Sequence, residues 1–125
     1  MPLASRFVSV CWRPMNIGEE LARDYLVGQG LEFREANFRL RFGEIDLIML
    51  DGEVLVFVEV KYRSSEHYGT SVEQVTARKI QKIKLVAKAY LQRYPHDVPY
   101  ARFDVVGISP CGAGYRFNWV KGAFE

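Results

Sequence analysis

The run Gly43-Glu44-Ile45-Asp46-Leu47-Ile48-Met49-Leu50, a turn at Asp51-Gly52 and the return Glu53-Val54-Leu55-Val56-Phe57-Val58-Glu59-Val60-Lys61 constrain this chain more than any other feature. Two apolar runs joined by Asp-Gly read as a β-hairpin, because that dipeptide tolerates the positive φ that tight two-residue turns demand. The simplest register pairs Leu50 with Glu53 and sets Asp46 opposite Phe57. Side chains alternate with period two, so Glu44, Asp46, Glu59 and Lys61 share one face. Ile45, Leu47, Met49, Val54, Val56, Val58 and Val60 share the other. Near the turn the charged face is itself apolar, with Ile48, Leu50, Leu55 and Phe57, so both faces are covered and the acids stand at the edge of a cleft.

Crowded carboxylates repel one another, and an apolar surround worsens the repulsion unless a cation fills the gap. A hard divalent ion such as Mg²⁺ or Mn²⁺ takes oxygen ligands, and Asp46, Glu59 and the Val60 carbonyl offer them, with Glu44 in support. Such an ion binds phosphate oxygens and lowers the pKa of bound water. Lys61, on the same face, is placed to orient the water or to meet developing charge. The same spacing equally describes a metal-free salt-bridge cluster in which Lys61 neutralises Asp46 or Glu59.

Asp46 followed after a hairpin by Glu59-Val60-Lys61 resembles the PD-(D/E)xK signature of restriction-endonuclease-like nucleases, with Ile45 where proline would stand. More closely, Gly43-Glu44-Ile45-Asp46-Leu47-Ile48 with Phe57-Val58-Glu59-Val60-Lys61-Tyr62-Arg63 resembles the YraN-like family of uncharacterised bacterial proteins, itself similar to archaeal Holliday junction resolvases. The likeness runs from Asn16 to Phe124, through Gly18-Glu19, Asn37, Tyr68-Gly69, Lys79, Tyr90-Leu91, Arg102-Phe103-Asp104 and Trp119-Val120-Lys121. It implies an α/β, restriction-endonuclease-like domain, with a central mixed β-sheet of about five strands flanked by helices. It also implies nucleic-acid binding, DNA foremost, with metal-dependent phosphodiester hydrolysis on branched substrates as the finer expectation. A homodimer suits a symmetric junction. Glu19 joins the metal site by this resemblance.

Helical geometry bears on Glu19 separately. Asn16 caps a helix that Gly28-Gln29-Gly30 ends, Glu19 takes the capping-box position, and Ile17, Leu21, Ala22, Tyr25 and Leu26 form the apolar stripe. At roughly 100° per residue Glu19 borders that stripe, whereas Glu20 points away. A cap at the positive end of the helix dipole explains Glu19 as well as a site role does.

Nucleic-acid contacts are expected from several basic segments. Arg39 and Arg41 alternate with Phe38, Leu40 and Phe42, and either clamp a phosphate or line an edge strand. The stretch from Arg63 to Thr70 reads as a loop in which Arg63 and Tyr68 are the better backbone contacts and His67 an ordinary solvated side chain. A helix from Val75 to Tyr94 bears Arg78, Lys79, Lys82, Lys84, Lys88 and Arg93 with no acid between Gln74 and Pro95. That segregation favours phosphate binding over a merely solvated face. The nuclease resemblance implies that Gln74 and Lys79 reach the acidic site from the first turns. Arg102 to Ile108 and Tyr115 to Val120 read as two further strands, joined by a Pro-Cys-Gly-Ala-Gly turn. Asp104 there needs a partner, for which Arg102 or a helix lysine suffices.

Composition sets the bounds. With 125 residues, 49% hydrophobic and 26% charged, the chain is long enough for one cored domain. We read residues 16–125 as that domain and 1–15 as an extension. A net charge of +2 is too small to argue for nucleic acid, so the charge distribution does. Cys11 and Cys111 lack metal-type spacing and suit a reduced, cytoplasmic protein. Phe7 to Trp12 is too short to span a membrane, and no membrane partner is expected. Besides a nuclease, the sequence admits a non-catalytic nucleic-acid-binding module and a protein-interaction scaffold.

Overall fold

The computed structural model describes residues 14–63, 75–93 and 99–125. Tyr68 and Gln74, and with them His67 and Cys11, lie outside the described residues.

Among the described residues, two helices and five strands follow in the order α1 (Ile17–Gly28), β1 (Glu32–Leu40), β2 (Gly43–Asp51), β3 (Val54–Tyr62), α2 (Ala77–Arg93), β4 (Tyr100–Cys111) and β5 (Gly114–Phe124). The strands form one mixed sheet in sequence order, antiparallel except for β3 and β4, which run parallel on either side of α2 in the chain. This is the expected α/β architecture, a five-stranded mixed sheet with a helix on each face. Among the described residues no helix is long and apolar enough to cross a membrane.

Each helix covers one core. Ala22 and Leu26 of α1 pack with Leu31, Leu47, Met49, Val56, Val58, Val106 and Ile108. Ile83, Val86, Ala87 and Tyr90 of α2 pack with Phe38, Leu40, Ile45, Ile48, Leu55 and Phe57. A fully buried side chain of this size contributes roughly 1.5–3 kcal/mol, so the two faces of β2 and β3 hold the layers together. Gly43 admits α2 closely, since a Cβ there would meet Val86 Cγ2 at 3.0 Å.

The hairpin register differs from the simplest one. Leu50 pairs with Leu55 and Ile48 with Phe57, leaving Gly52 and Glu53 as the turn. Gly52 has φ +61° and Glu53 is not in the positive-φ region, the pattern of a turn with glycine at its first central position. The register has moved by two residues rather than one, so the paired stretch of Leu47–Asp51 with Val54–Val58 keeps its faces. The β4–β5 hairpin repeats the device with Gly112 at φ +60° between Cys111 and Gly114. Its strands run further than expected, with Pro110 inside β4. Pairing to β3 ends at Ile108, so the missing proline amide withdraws nothing from that side.

A second correction concerns Ile45. It packs under α2, whereas Leu47 and Met49 pack under α1. The reason lies across the ladder. Ala36 pairs with Leu47 and Phe38 with Ile45, and the intervening Asn37 has φ +57°. That left-handed residue breaks the alternation of β1, and β2 follows it at Asp46. Asparagine tolerates this conformation better than most L-residues.

Candidate metal and nucleic-acid site

The site gathers where the pleat breaks. Asn16 Oδ1 accepts from the Glu19 amide at 2.8 Å, and Glu19 Oε1 accepts from the Asn16 amide at 3.0 Å. This reciprocal box fixes the Glu19 side chain as well as the helix end. Glu19 is buried with its carboxylate toward β2. The β2–β3 ladder closes at Leu47 and Val58, one step short of Asp46 and Glu59. Beyond it the Val60 amide donates to Asp46 Oδ2 at 2.8 Å, so a side chain satisfies a backbone donor that would otherwise lose its partner.

Glu19, Glu44 and Asp46 bring one carboxylate oxygen each within 4.8 Å of one another. Glu59, buried beside them, turns its Oε2 to Lys79 Nζ at 2.6 Å and Lys61 Nζ at 3.7 Å. Burial, then the Glu59 charge, holds the Asp46 carboxyl well above its usual range, with Glu19 and Glu44 adding to the shift and the Val60 amide opposing it. Burial and the nearby Lys79 lower the Lys61 pKa. For Lys79 burial also disfavours the charge, but its hydrogen bond and ion pair with Glu59 prevail and the pKa rises.

An open cleft of about 310 Å³ on the α2 side is lined by Gly43, Glu44, Asp46, Glu59, Thr76, Arg78, Lys79, Lys82 and Ile83. A second, of about 490 Å³, opens toward the α1 N-terminus and includes Glu19, Val60, Lys61 and Tyr62. Both contain Asp46, Glu59 and Lys79, so the acids form a wall reached from two sides. Three hard carboxylate donors converging there fit Mg²⁺ or Mn²⁺ in ligand type.

The fold thus brings together Asp46, Glu59, Lys61, Glu19, Glu44 and Val60 with Arg78, Lys79 and Lys82. Arg39 is exposed and lies across the ladder from Glu44, Arg41 is exposed beyond the end of β1, and the Arg63 amide donates to the Ile108 carbonyl at 2.8 Å. None of these three lines the clefts described. Glu44, expected only in support, stands in the carboxylate trio, and Glu59 faces the lysines instead. Asp104 is fully buried and accepts from Arg102, Trp119 Nε1 and the Gly122 amide, which accounts for it structurally. The structural part of Asn37 was missed. Its signal in the sequence was an asparagine between apolar residues in the interior of a strand.

Residues 18–108 match the model of the uncharacterised protein family UPF0102. The chain belongs to UPF0102. A UPF0102 protein of Halorhodospira halophila is 50% identical over 107 residues, covering 86% of this chain and 83% of that protein. One from Shewanella frigidimarina is 45% identical over 109 residues, 87% of this chain and 96% of its own length. One from Vibrio parahaemolyticus is 44% identical over 112 residues, at 88% and 90% coverage. The UPF0102 match spans Glu19, Glu44, Asp46, Glu59, Lys61 and Lys79, so the candidate site falls inside the family's matched region.

Proposed function

We propose that this UPF0102 protein binds nucleic acid, DNA foremost, and hydrolyses phosphodiester bonds with the help of Mg²⁺ or Mn²⁺. The supporting observation is the convergence of Glu19, Glu44 and Asp46 within 4.8 Å, beside a Glu59 that faces Lys61 and Lys79. A bound divalent ion supplies Lewis-acid polarisation of a phosphate oxygen and acidification of water. The chain's own residues do the rest. Glu19, Glu44 and Asp46 would hold the ion, and the Val60 amide orients Asp46. Lys61, its charge disfavoured by burial and by Lys79, is suited to orient water or to stabilise charge on the phosphate. Arg78 and Lys82 on the cleft rim draw the strand in. A homodimer facing a symmetric branched substrate belongs to the same proposal.

The test is cleavage of end-labelled branched, single-stranded and duplex DNA with Mg²⁺ or Mn²⁺, comparing wild type with Glu59→Ala and Lys61→Ala. Metal-dependent cleavage that both folded variants lose is the expected result; equal background in all three refutes hydrolysis at this site. A second reading, a non-catalytic binding module, draws on the 2.6 Å contact by which Lys79 already neutralises Glu59. Salt-sensitive binding without turnover would select it.

A further inference from the structure

The cleft toward α1 is walled on one side by Tyr62, and the ring of Tyr115 lies beside that tyrosine. Tyr62 lines it together with Ile17, Glu19 and Asp46, and Tyr62 is 39% and Tyr115 40% exposed. Their ring centroids lie 6.4 Å apart at an interplanar angle of 52°, so neither ring stacks its face on the other. The position of Tyr62 is held from below. A Cβ on buried Gly18 would come within 2.8 Å of Tyr62 Cβ, so the first turn of α1 packs directly on this tyrosine and ties it to Glu19 next in sequence.

Tyr115 opens an aromatic row on the edge strand β5, with Phe117 and Trp119 at alternate positions. Further along that row the rings are already engaged. Tyr25 stacks on Phe117 at 4.4 Å with an angle of 5° and meets Trp119 edge-on at 6.3 Å. Tyr115, at the start of the row, and Tyr62 on β3 beside it keep exposed ring surface, and Tyr62 lines the cleft with the acids.

Resting on the nuclease reading above, we infer that Tyr62 and Tyr115 form a stacking platform for an unpaired base of single-stranded DNA whose phosphate lies at the carboxylate–lysine centre. Phosphates alone do not require exposed rings. A strand whose backbone meets Lys61 and Lys79 must place its bases to one side, and in a duplex those bases face their complements instead of a protein ring. Base–aromatic stacking is the sequence-tolerant contact that single strands offer. Charge and aromatic surface therefore join in one cleft, the combination that distinguishes an unpaired segment from a duplex.

Anisotropy with the full chain in Ca²⁺ tests this, using three probes: a single-stranded oligonucleotide, the same length of abasic strand, and the fully paired duplex. The wild type should bind the base-bearing single strand best. Tyr62→Leu and Tyr115→Leu should each weaken that binding by about 5- to 150-fold, the range of one lost stack, while duplex binding holds and Tyr62→Phe behaves as wild type. The wild type should bind the abasic strand as weakly as the leucine variants bind the normal one. Both side chains are exposed, and far-UV circular dichroism verifies folding of the variants. Equal wild-type affinity for abasic and normal strands, or leucine variants that match wild type, overturns the platform and leaves the nuclease reading standing. Failure to bind any of the three probes overturns both.

Discussion

Replacing Asp46 by asparagine should stabilise the metal-free protein, although the residue stands at the centre of the candidate site. With carboxylate oxygens up to 4.8 Å apart, each pair of like charges costs about 3.5 kcal/mol at an effective dielectric constant near 20. Asp46→Asn removes two such pairs, with Glu19 and Glu44. Against this stand about 1 kcal/mol for weakening the hydrogen bond from the Val60 amide and on the order of 3–4 kcal/mol for the attraction to Lys61 and Lys79 that is lost beyond the repulsion from Glu59 that goes with it. The net gain is on the order of 2 kcal/mol, or about 1 M in urea midpoint for a slope near 2 kcal/mol/M. The pH dependence has a definite sign. The folded pKa of Asp46 is raised well above 3.8, so between the unfolded and folded values the native state binds the extra proton and stability falls as pH rises. The advantage of the variant should therefore vanish near and below the unfolded pKa, grow through that window, and level off above the raised folded value. Urea unfolding in chelator across this range measures it. Added Mg²⁺ or Mn²⁺ should reverse the order, since a ligand at 100 times its Kd adds about 2.7 kcal/mol to the form that binds it. A variant no more stable than wild type in chelator at about pH 8, with the two curves parallel down to acid pH, would refute the crowded-carboxylate account.

Asn16→Ala should cost about 1 kcal/mol by removing the helix cap; it should also weaken Mn²⁺ binding by titration calorimetry, because Glu19 loses the geometry its capping box imposes. Asp104→Ala leaves the Arg102 guanidinium, the Trp119 indole and the Gly122 amide without their shared acceptor, and should lower urea stability by about 3–5 kcal/mol. A loss under about 1 kcal/mol would show that water replaces the carboxylate there. Arg78→Ala and Lys82→Ala should each reduce the slope of log affinity against log salt by about one, uniformly across DNA sequences, if both contact phosphates; an unchanged slope removes that residue from the interface.

The site was legible to different depths at different residues. Asp46, Glu59 and Lys61 follow from alternation along two strands, which is a local property of the chain. The Asn16–Glu19 box follows from a spacing of three residues, and the structure shows both of its hydrogen bonds. Lys79 was expected within reach of the acidic site by the nuclease resemblance, but nothing in its neighbourhood in the chain indicated that its ammonium would meet Glu59. Glu44 was assigned a supporting place because alternation alone does not rank acids on one face. Asn37 was named only for the family likeness, because a left-handed conformation within a strand is decided by what packs on either side of it.

By itself, then, the sequence determined the elements: a capped α1, an acid-bearing hairpin, a basic α2, and two closing strands. These depend on capping, periodicity and turn chemistry, each exerted over a few residues. Only the tertiary structure decided the hairpin register, the change of face at Ile45, the trio of Glu19, Glu44 and Asp46, and the Lys79–Glu59 contact. Register was a contest between turns of similar cost, settled where Gly52 takes positive φ and Leu55 and Phe57 are buried beneath α2. The carboxylates meet because α1 and α2 pack on opposite faces of a sheet whose pleat breaks between them, and burial on both faces is a property of the assembled layers rather than of any segment.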